Sequence, residues 1–297
     1  MMAAVASGLM PTAFLAEVSG KKMRIAAQMF SLRDIVWMDE HGFLAMIGLM
    51  KKFGYDGVEF AGVKAEPKKL KKYMDDIGIV CASAHEGLAN CLKDKIAETC
   101  EKNLSYGNRN LVMPWAPVPE DCKDKIGWLK KLGADLSEGA AVAKRYGCHL
   151  AYHNHGHEFT KKINGVSYWD IIMSDASSDL EVQFDLGHLA RAGEDPKKWF
   201  ARYPKSVRTV HAKNICVPDA KLRPEKGERG IDWPEIFDLT ERNITEWYIV
   251  EAESNPADTQ KMKYGVDFLR QRVIRGAVPT DPFGPDRERQ RRRAVEG

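Results

Sequence analysis

Two histidines and two acids each close a short apolar run: His153 in Ala-Tyr-His-Asn-His, Asp185 in Val-Gln-Phe-Asp-Leu, His211 in Thr-Val-His-Ala-Lys and Glu251 in Tyr-Ile-Val-Glu-Ala. Two imidazoles and two carboxylates suit a divalent ion such as Mn²⁺, Zn²⁺, Co²⁺ or Fe²⁺, with the remaining coordination positions left to water or substrate oxygens. The four are separated by 32, 26 and 40 residues. That is too far for a local motif, and each interval is about one strand-plus-helix unit. The set can converge only if a repeating fold brings successive strands back to one rim.

Other reactive side chains cluster around these four. His155 shares the face of His153 if the strand continues, because residues two apart in a strand point the same way. It is then a fifth ligand, a substrate contact or a partner that orients His153. Glu158, five residues past His153, is a candidate base in the loop that opens the mouth. His188 and Lys213 point toward the same rim and suit substrate hydroxyls or a developing oxyanion. On the early strands Gln28, Glu59 and His85 end or interrupt apolar runs and complete a polar ring, either against substrate or behind the ligands.

The elements that must position these residues alternate with one rhythm. Short β-rich runs at 24–30, 56–61, 79–85, 109–115, 148–154, 180–186, 206–213 and 246–252 read as eight strands. Amphipathic stretches with helical spacing separate them, for example Gly42 to Phe53 stopped by Gly54, Pro67 to Ile77 stopped by Gly78, and Ile126 to Tyr146 stopped by Gly147. Eight such units in about 250 residues are the arithmetic of a single-domain α/β fold, the (β/α)8 TIM barrel, here over residues 23–275. Its active sites lie at the C-terminal ends of the strands, where the residues above fall. An open doubly wound sheet with a dinucleotide would show G-x-G-x-x-G after the first strand, and none is present.

Composition narrows the partners. The 297 residues carry 45 basic and 42 acidic groups. Residues 286–297 hold five arginines against three acids, so the rest has 40 basic and 39 acidic groups. A nearly neutral body lacks the concentrated basic face that duplex binding requires, so no nucleic-acid partner is expected. The longest uncharged stretch, Met1 to Ala16, is broken by Gly8 and Pro11 and falls short of the roughly 20 apolar residues of a membrane span. Six scattered cysteines without a C-x-x-C pair read as reduced buried thiols. Residues 1–22 form an N-terminal extension whose Ala-Phe-Leu-Ala resembles the end of an export signal but lacks a preceding basic segment. The chain is exported if that reading holds and cytoplasmic otherwise. Residues 276–297 are a Pro/Arg-rich tail expected to be disordered, and Gly227-Glu-Arg-Gly230 a flexible loop without the P-loop lysine. Trp115, Trp233 and Trp247, near strand ends or loops, read as packing groups, with stacking on a sugar as the alternative.

The motifs resemble the sugar phosphate isomerase/epimerase family, whose barrel is xylose-isomerase-like. The matching segments are Gln28-Met-Phe-Ser-Leu-Arg33, Gly54-Tyr-Asp-Gly-Val-Glu-Phe60, Ser83-Ala-His85, Tyr152-His-Asn-His155 with Glu158-Phe159, Phe184-Asp-Leu-Gly-His188, His211-Ala-Lys213, Gly230-Ile-Asp-Trp233 and Glu246-Trp-Tyr-Ile-Val-Glu251. The resemblance implies a divalent metal, Mn²⁺ first, on His153, Asp185, His211 and Glu251. It also implies a small sugar or cyclitol substrate, and it leaves an oligomer open. In family epimerases the strand-5 ligand is usually Glu and pairs with the strand-8 Glu across the sugar carbon; here that position is His153.

The expected chemistry is removal of the proton α to a carbonyl, with Glu251 or Glu158 as base and His155 or His188 stabilising charge, through an enediolate. Isomerisation or epimerisation ranks first. β-Elimination from a keto sugar or keto-glycoside ranks second because of His153. Outside that class stand a non-catalytic carbohydrate-binding barrel and an abasic-site endonuclease with three zinc ions, the latter disfavoured by the neutral charge.

Overall fold

The computed structural model describes residues 24–213, 230–252 and 256–275. The extension at 1–22, Cys216, the Gly227–Arg229 part of the glycine loop and the tail at 276–297 lie outside the described residues. Eight parallel strands are present: β1 Arg24–Gln28, β2 Gly57–Phe60, β3 Val80–His85, β4 Asn110–Met113, β5 His149–His153, β6 Leu180–Asp185, β7 Val207–Lys213 and β8 Trp247–Glu251. They close into a barrel in which each strand neighbours the next in sequence and β8 pairs with β1. Most of their residues are buried, as expected where one face fills the barrel and the other meets helices.

The principal helices are α1 Glu40–Phe53, α2 Pro67–Ile77, α3 Ile96–Ser105, α4 Lys125–Arg145, α5 Tyr168–Met173, α6 Pro196–Arg202, α7 Trp233–Glu241 and α8 Thr259–Arg275. Capping sets their ends. Asp39 Oδ1 accepts from the Gly42 amide at 2.7 Å, so α1 begins two residues before the expected Gly42. Asp124 does the same for Gly127 at 2.9 Å, and α4 starts at Lys125. Gly54 and Gly78 take left-handed φ of 98° and 68° after α1 and α2. β1 stops short of the expected residue 30, because the Gln28 side chain accepts from the Phe30 amide at 3.0 Å and starts a 3-10 turn over Met29–Leu32. A hairpin pairing Lys162–Ile163 with Val166–Ser167 was not expected.

The N-terminal end of the barrel is closed by a cluster of Trp247, Ile249, Ala26 and Ala82. Trp247 fits because Gly57 faces it: a Cβ there would lie 2.9 Å from the indole. The Arg24 guanidinium covers the same ring at 3.7 Å. Outside that plug Arg208 bridges Glu181 at 2.8 Å and Glu246 at 2.5 Å. The described cysteines are free, and Cys81, Cys91, Cys100 and Cys148 are buried. Among the described residues no helix is long and apolar enough to cross a membrane.

Candidate active site

Strand register assembles the site. β6 pairs with β7 so that Asp185 lies beside His211, and β7 with β8 so that Lys213 lies beside Glu251. On the other flank His153 pairs with Gln183, two residues before Asp185. Asn154 ties the ends of β5 and β6 together: its Oδ1 accepts from the Asp185 amide at 2.9 Å and its Nδ2 donates to the Asp185 carbonyl at 3.3 Å.

Ligand atoms of Asp185, His211 and Glu251 lie within 4.8 Å of one another, and so do those of His85, His153 and His211. His153 Nε2 is 3.9 Å from Asp185 Oδ2, so all four expected ligands reach one buried cluster. Lys213 Nζ donates to Glu251 Oε1 at 2.8 Å. His211 is held between two carboxylates, with Nδ1 2.8 Å from Glu251 Oε2 and Nε2 against Glu59 Oε1. Burial opposes charge on His211, but these two carboxylates outweigh it and raise its pKa to about 10. Burial likewise works against the charge of Glu251, yet His211 and Lys213 hold it well below the usual carboxylate range. Burial, reinforced by the charge of His211, pushes His153 well below the ordinary imidazole value and keeps it neutral.

Gln183, which the sequence did not single out, organises the layer beneath. Its amide nitrogen donates to Glu59 Oε2 and Thr209 Oγ1, both at 2.8 Å. With both protons so engaged, Gln183 Oε1 must face the histidines, 2.8 Å from His153 Nδ1 and 3.1 Å from His85 Nε2. The amide therefore fixes the tautomer of His153: Nδ1 carries the proton and Nε2 keeps its lone pair toward Asp185. Glu59 accepts from Gln28 at 2.6 Å and from Ser83. It is fully buried in this layer and does not line the cavity, unlike Gln28 and His85.

The chemistry of this donor set fits a divalent cation. Asp185 Oδ1 caps the turn at Leu186 by accepting from the His188 amide at 2.8 Å, while buried Oδ2 accepts no hydrogen bond. Around Oδ2 stand Lys213 Nζ at 3.6 Å, His188 Nε2 at 3.8 Å, and His153 Nε2 and His211 Nδ1 at 3.9 Å each. A carboxylate oxygen ringed by nitrogens just beyond hydrogen-bond reach leaves room for an ion at the roughly 2 Å of a metal–oxygen bond. Three buried acids, Glu59, Asp185 and Glu251, against Lys213 and a charged His211 leave a formal −1, which becomes −2 when an ion displaces the His211 proton and is then cancelled by a divalent charge.

Above the cluster opens a cavity of about 490 Å³ lined by Gln28, His85, His153, His155, His188, Lys213 and Glu251 on its polar side. Phe30, Trp37, Ala61, Gly62, Pro114 and Trp115 form the apolar remainder. β5 ends at His153, so His155 lies beyond the strand, yet its ring still approaches that of His153 at 5.1 Å and that of His188 at 4.7 Å. Burial lowers the His155 pKa to about 3, and its Nδ1 has no hydrogen-bond partner. Glu158 is not brought to this cavity. Its carboxylate accepts from the His155 amide at 2.8 Å and from Tyr152 at 3.2 Å, and it lines a second cavity of about 410 Å³. Burial there pushes its pKa up to about 7.

A family model described as xylose isomerase-like TIM barrel matches residues 47–272. An inosose dehydratase of Lacticaseibacillus casei is 24% identical over 265 residues, 75% of this chain and 86% of the relative. An inosose dehydratase of Clostridium tetani is 28% identical, but over 50% of this chain and only 52% of its own length. Among solved structures, a sugar phosphate isomerase/epimerase of Parabacteroides distasonis superposes with a TM-score of 0.68 at 18% identity, covering 88% of this chain and 98% of that one. A protein named IolI, solved with a bound zinc atom, superposes with a TM-score of 0.60 at 16% identity over 87% of this chain and all of that one.

Proposed function

Because this chain belongs to the family of xylose isomerase-like TIM barrels, we propose that it is a divalent-metal-dependent dehydratase or lyase that removes the proton α to the carbonyl of a keto sugar or keto-cyclitol and expels a β-substituent. The observation that carries this reading is that Glu251 is the single carboxylate lining the main cavity among the described residues. Epimerisation by two acids needs a second carboxylate on the opposite face of the ring. Glu158 is turned into the other cavity, and the strand-5 position is His153. Elimination needs one group: Glu251 takes the α-proton and hands it to the leaving oxygen on the same face.

Asp185, His211, Glu251 and His153 would hold the ion, which when bound supplies a Lewis acid for negative charge developing on the carbonyl oxygen. The chain's other groups prepare that step. His211 and Lys213 keep Glu251 ionised, the form a base must have, at the cost of some basicity. Lys213 Nζ, 2.8 Å from Glu251 Oε1, reinforces the electrostatic stabilisation of an enolate oxygen. His155 and His188 present imidazoles to substrate hydroxyls along the cavity wall. The inosose dehydratase relatives support this reaction class. Isomerisation, in which Glu251 returns the proton to the neighbouring carbon, is the second reading and is favoured by the name of the P. distasonis structure.

Incubation with a keto-inositol and a panel of keto sugars in D₂O with Mn²⁺ separates the readings. Elimination gives a conjugated enone absorbance, and isomerisation gives deuterium in a rearranged sugar. Glu251→Gln is expected to lower turnover by at least about 10²-fold, and His211→Ala to lose bound metal as well as activity. Sugar binding without turnover, unchanged in Glu251→Gln, would instead mark a carbohydrate-binding barrel.

A further inference from the structure

The polar groups of the cavity are concentrated on β5 to β8, whereas its apolar wall comes from the half of the mouth built by the first four strands. Phe30 and Trp37 follow β1, Ala61 and Gly62 follow β2, and Pro114 and Trp115 follow β4. The two indoles are 42% and 47% exposed at a mouth where burial would favour them. They are nonetheless fixed. Trp37 Nε1 donates to the Ala61 carbonyl at 3.0 Å, and its ring meets Phe30 edge-on at 5.5 Å. Trp115 is braced by His155 at 5.0 Å and His157 at 4.7 Å. Rigid exposed aromatic faces of this kind are ready to stack without further loss of side-chain entropy.

The cavity is also larger than one ring needs. About twelve water molecules at roughly 30 Å³ each would fill about 360 Å³. A six-membered polyol has about twelve non-hydrogen atoms, bonded more closely than separate waters, so one ring does not fill the cavity of about 490 Å³.

We propose that Phe30, Trp37 and Trp115 form a subsite for a second ring, carried on the β-oxygen of the keto sugar, so that the expelled group is a ring-bearing alcohol rather than water. The inference rests on the elimination reading above. The β-carbon lies two bonds from the carbonyl carbon, so with the carbonyl at the ligand cluster a substituent on its oxygen extends out of the polar half. In the reaction the α-C–H bond breaks and its proton passes to Glu251. The electron pair forms the α,β double bond, the β-C–O bond breaks, and the departing oxygen takes the proton from Glu251. A keto-glycoside gives an enone and an alcohol with no change in overall oxidation level.

The test uses glycosides that cannot react. Methyl β-glucoside, phenyl β-glucoside and cellobiose are titrated calorimetrically into the full chain with Mn²⁺, and into Trp37→Ala and Trp115→Ala checked for folding by circular dichroism. Phenyl β-glucoside, cellobiose or both should bind about tenfold more tightly than methyl β-glucoside. At least one substitution should bring that ratio to within about twofold. Preference for the phenyl compound alone assigns an aromatic aglycone, and preference for both assigns any flat or C–H-faced ring. Equal affinities in the unsubstituted protein, or a ratio that survives both substitutions, overturn the subsite. Turnover of a keto-inositol with no dependence on a second ring sinks the subsite and keeps elimination. Ring-dependent binding with no keto-sugar turnover keeps the subsite and sinks elimination.

Discussion

Gln183 carries the most consequence per atom in this site, since one amide satisfies Glu59 and Thr209 and orients His153 and His85. Replacing it with Leu removes the acceptor that holds the His153 Nδ1 proton. Mn²⁺ affinity, measured by titration calorimetry, is expected to fall about 10- to 100-fold. Glu158 makes a prediction of a different kind. Its folded pKa of about 7 stands above the ordinary 4.5, so between those values the native state holds a proton that the unfolded chain releases. The Glu158 contribution to stability is fully present below pH 4.5 and is lost, about 3 kcal/mol in all, as pH rises through 7. The difference in melting temperature between wild type and Glu158→Gln, followed from pH 4.5 to 8, should move against the wild type by that component, while the buried imidazoles such as His155 affect both proteins alike. The sequence exposed His153, Asp185, His211 and Glu251 because each is a polar residue terminating an apolar run. Gln183 was hidden because a glutamine in Leu-Glu-Val-Gln-Phe-Asp looks the same facing solvent or the barrel interior. The usable signal was period two from Asp185, which puts Gln183 on the inner face. Glu158 was legible as a nearby carboxylate, but the turn that swings it onto the His155 amide was not.

At the scale of elements, the strand–helix rhythm was readable because apolar runs and glycine stops repeat along the chain. Boundaries shifted where caps decide them, as Asp39 and Asp124 do. The hairpin at 162–167 was missed although Asn164-Gly165 is a strong two-residue turn signal, and both residues take positive φ, 52° and 82°. Glycines inside α4 gave no hint of their purpose. A Cβ on Gly133 would lie 1.9 Å from the Ile172 carbonyl oxygen, and one on Gly139 2.1 Å from that of Cys91. These positions let α4 approach neighbouring backbone closely. Gly133→Ala should therefore destabilise by about 1–3 kcal/mol in denaturant unfolding, opposite in sign to the gain of nearly 1 kcal/mol that propensity alone assigns an exposed helical site.

For the molecule as a whole, parallel strands in sequential order put every C-terminal end at one rim, so residues as distant as Gln28 and Glu251 line one cavity. The opposite rim holds the Arg208 bridges and the Trp247 cluster, away from any reacting atom. That division follows the usual separation of chemistry and stability in these barrels. Trp247, wedged against Gly57, also makes the lumen a cul-de-sac. What is consumed and what is released must use the same doorway, in turn. Spent material lingering there bars the next arrival, so inhibition by whichever product leaves last should be overcome by raising substrate concentration, as steady-state kinetics with added product would show.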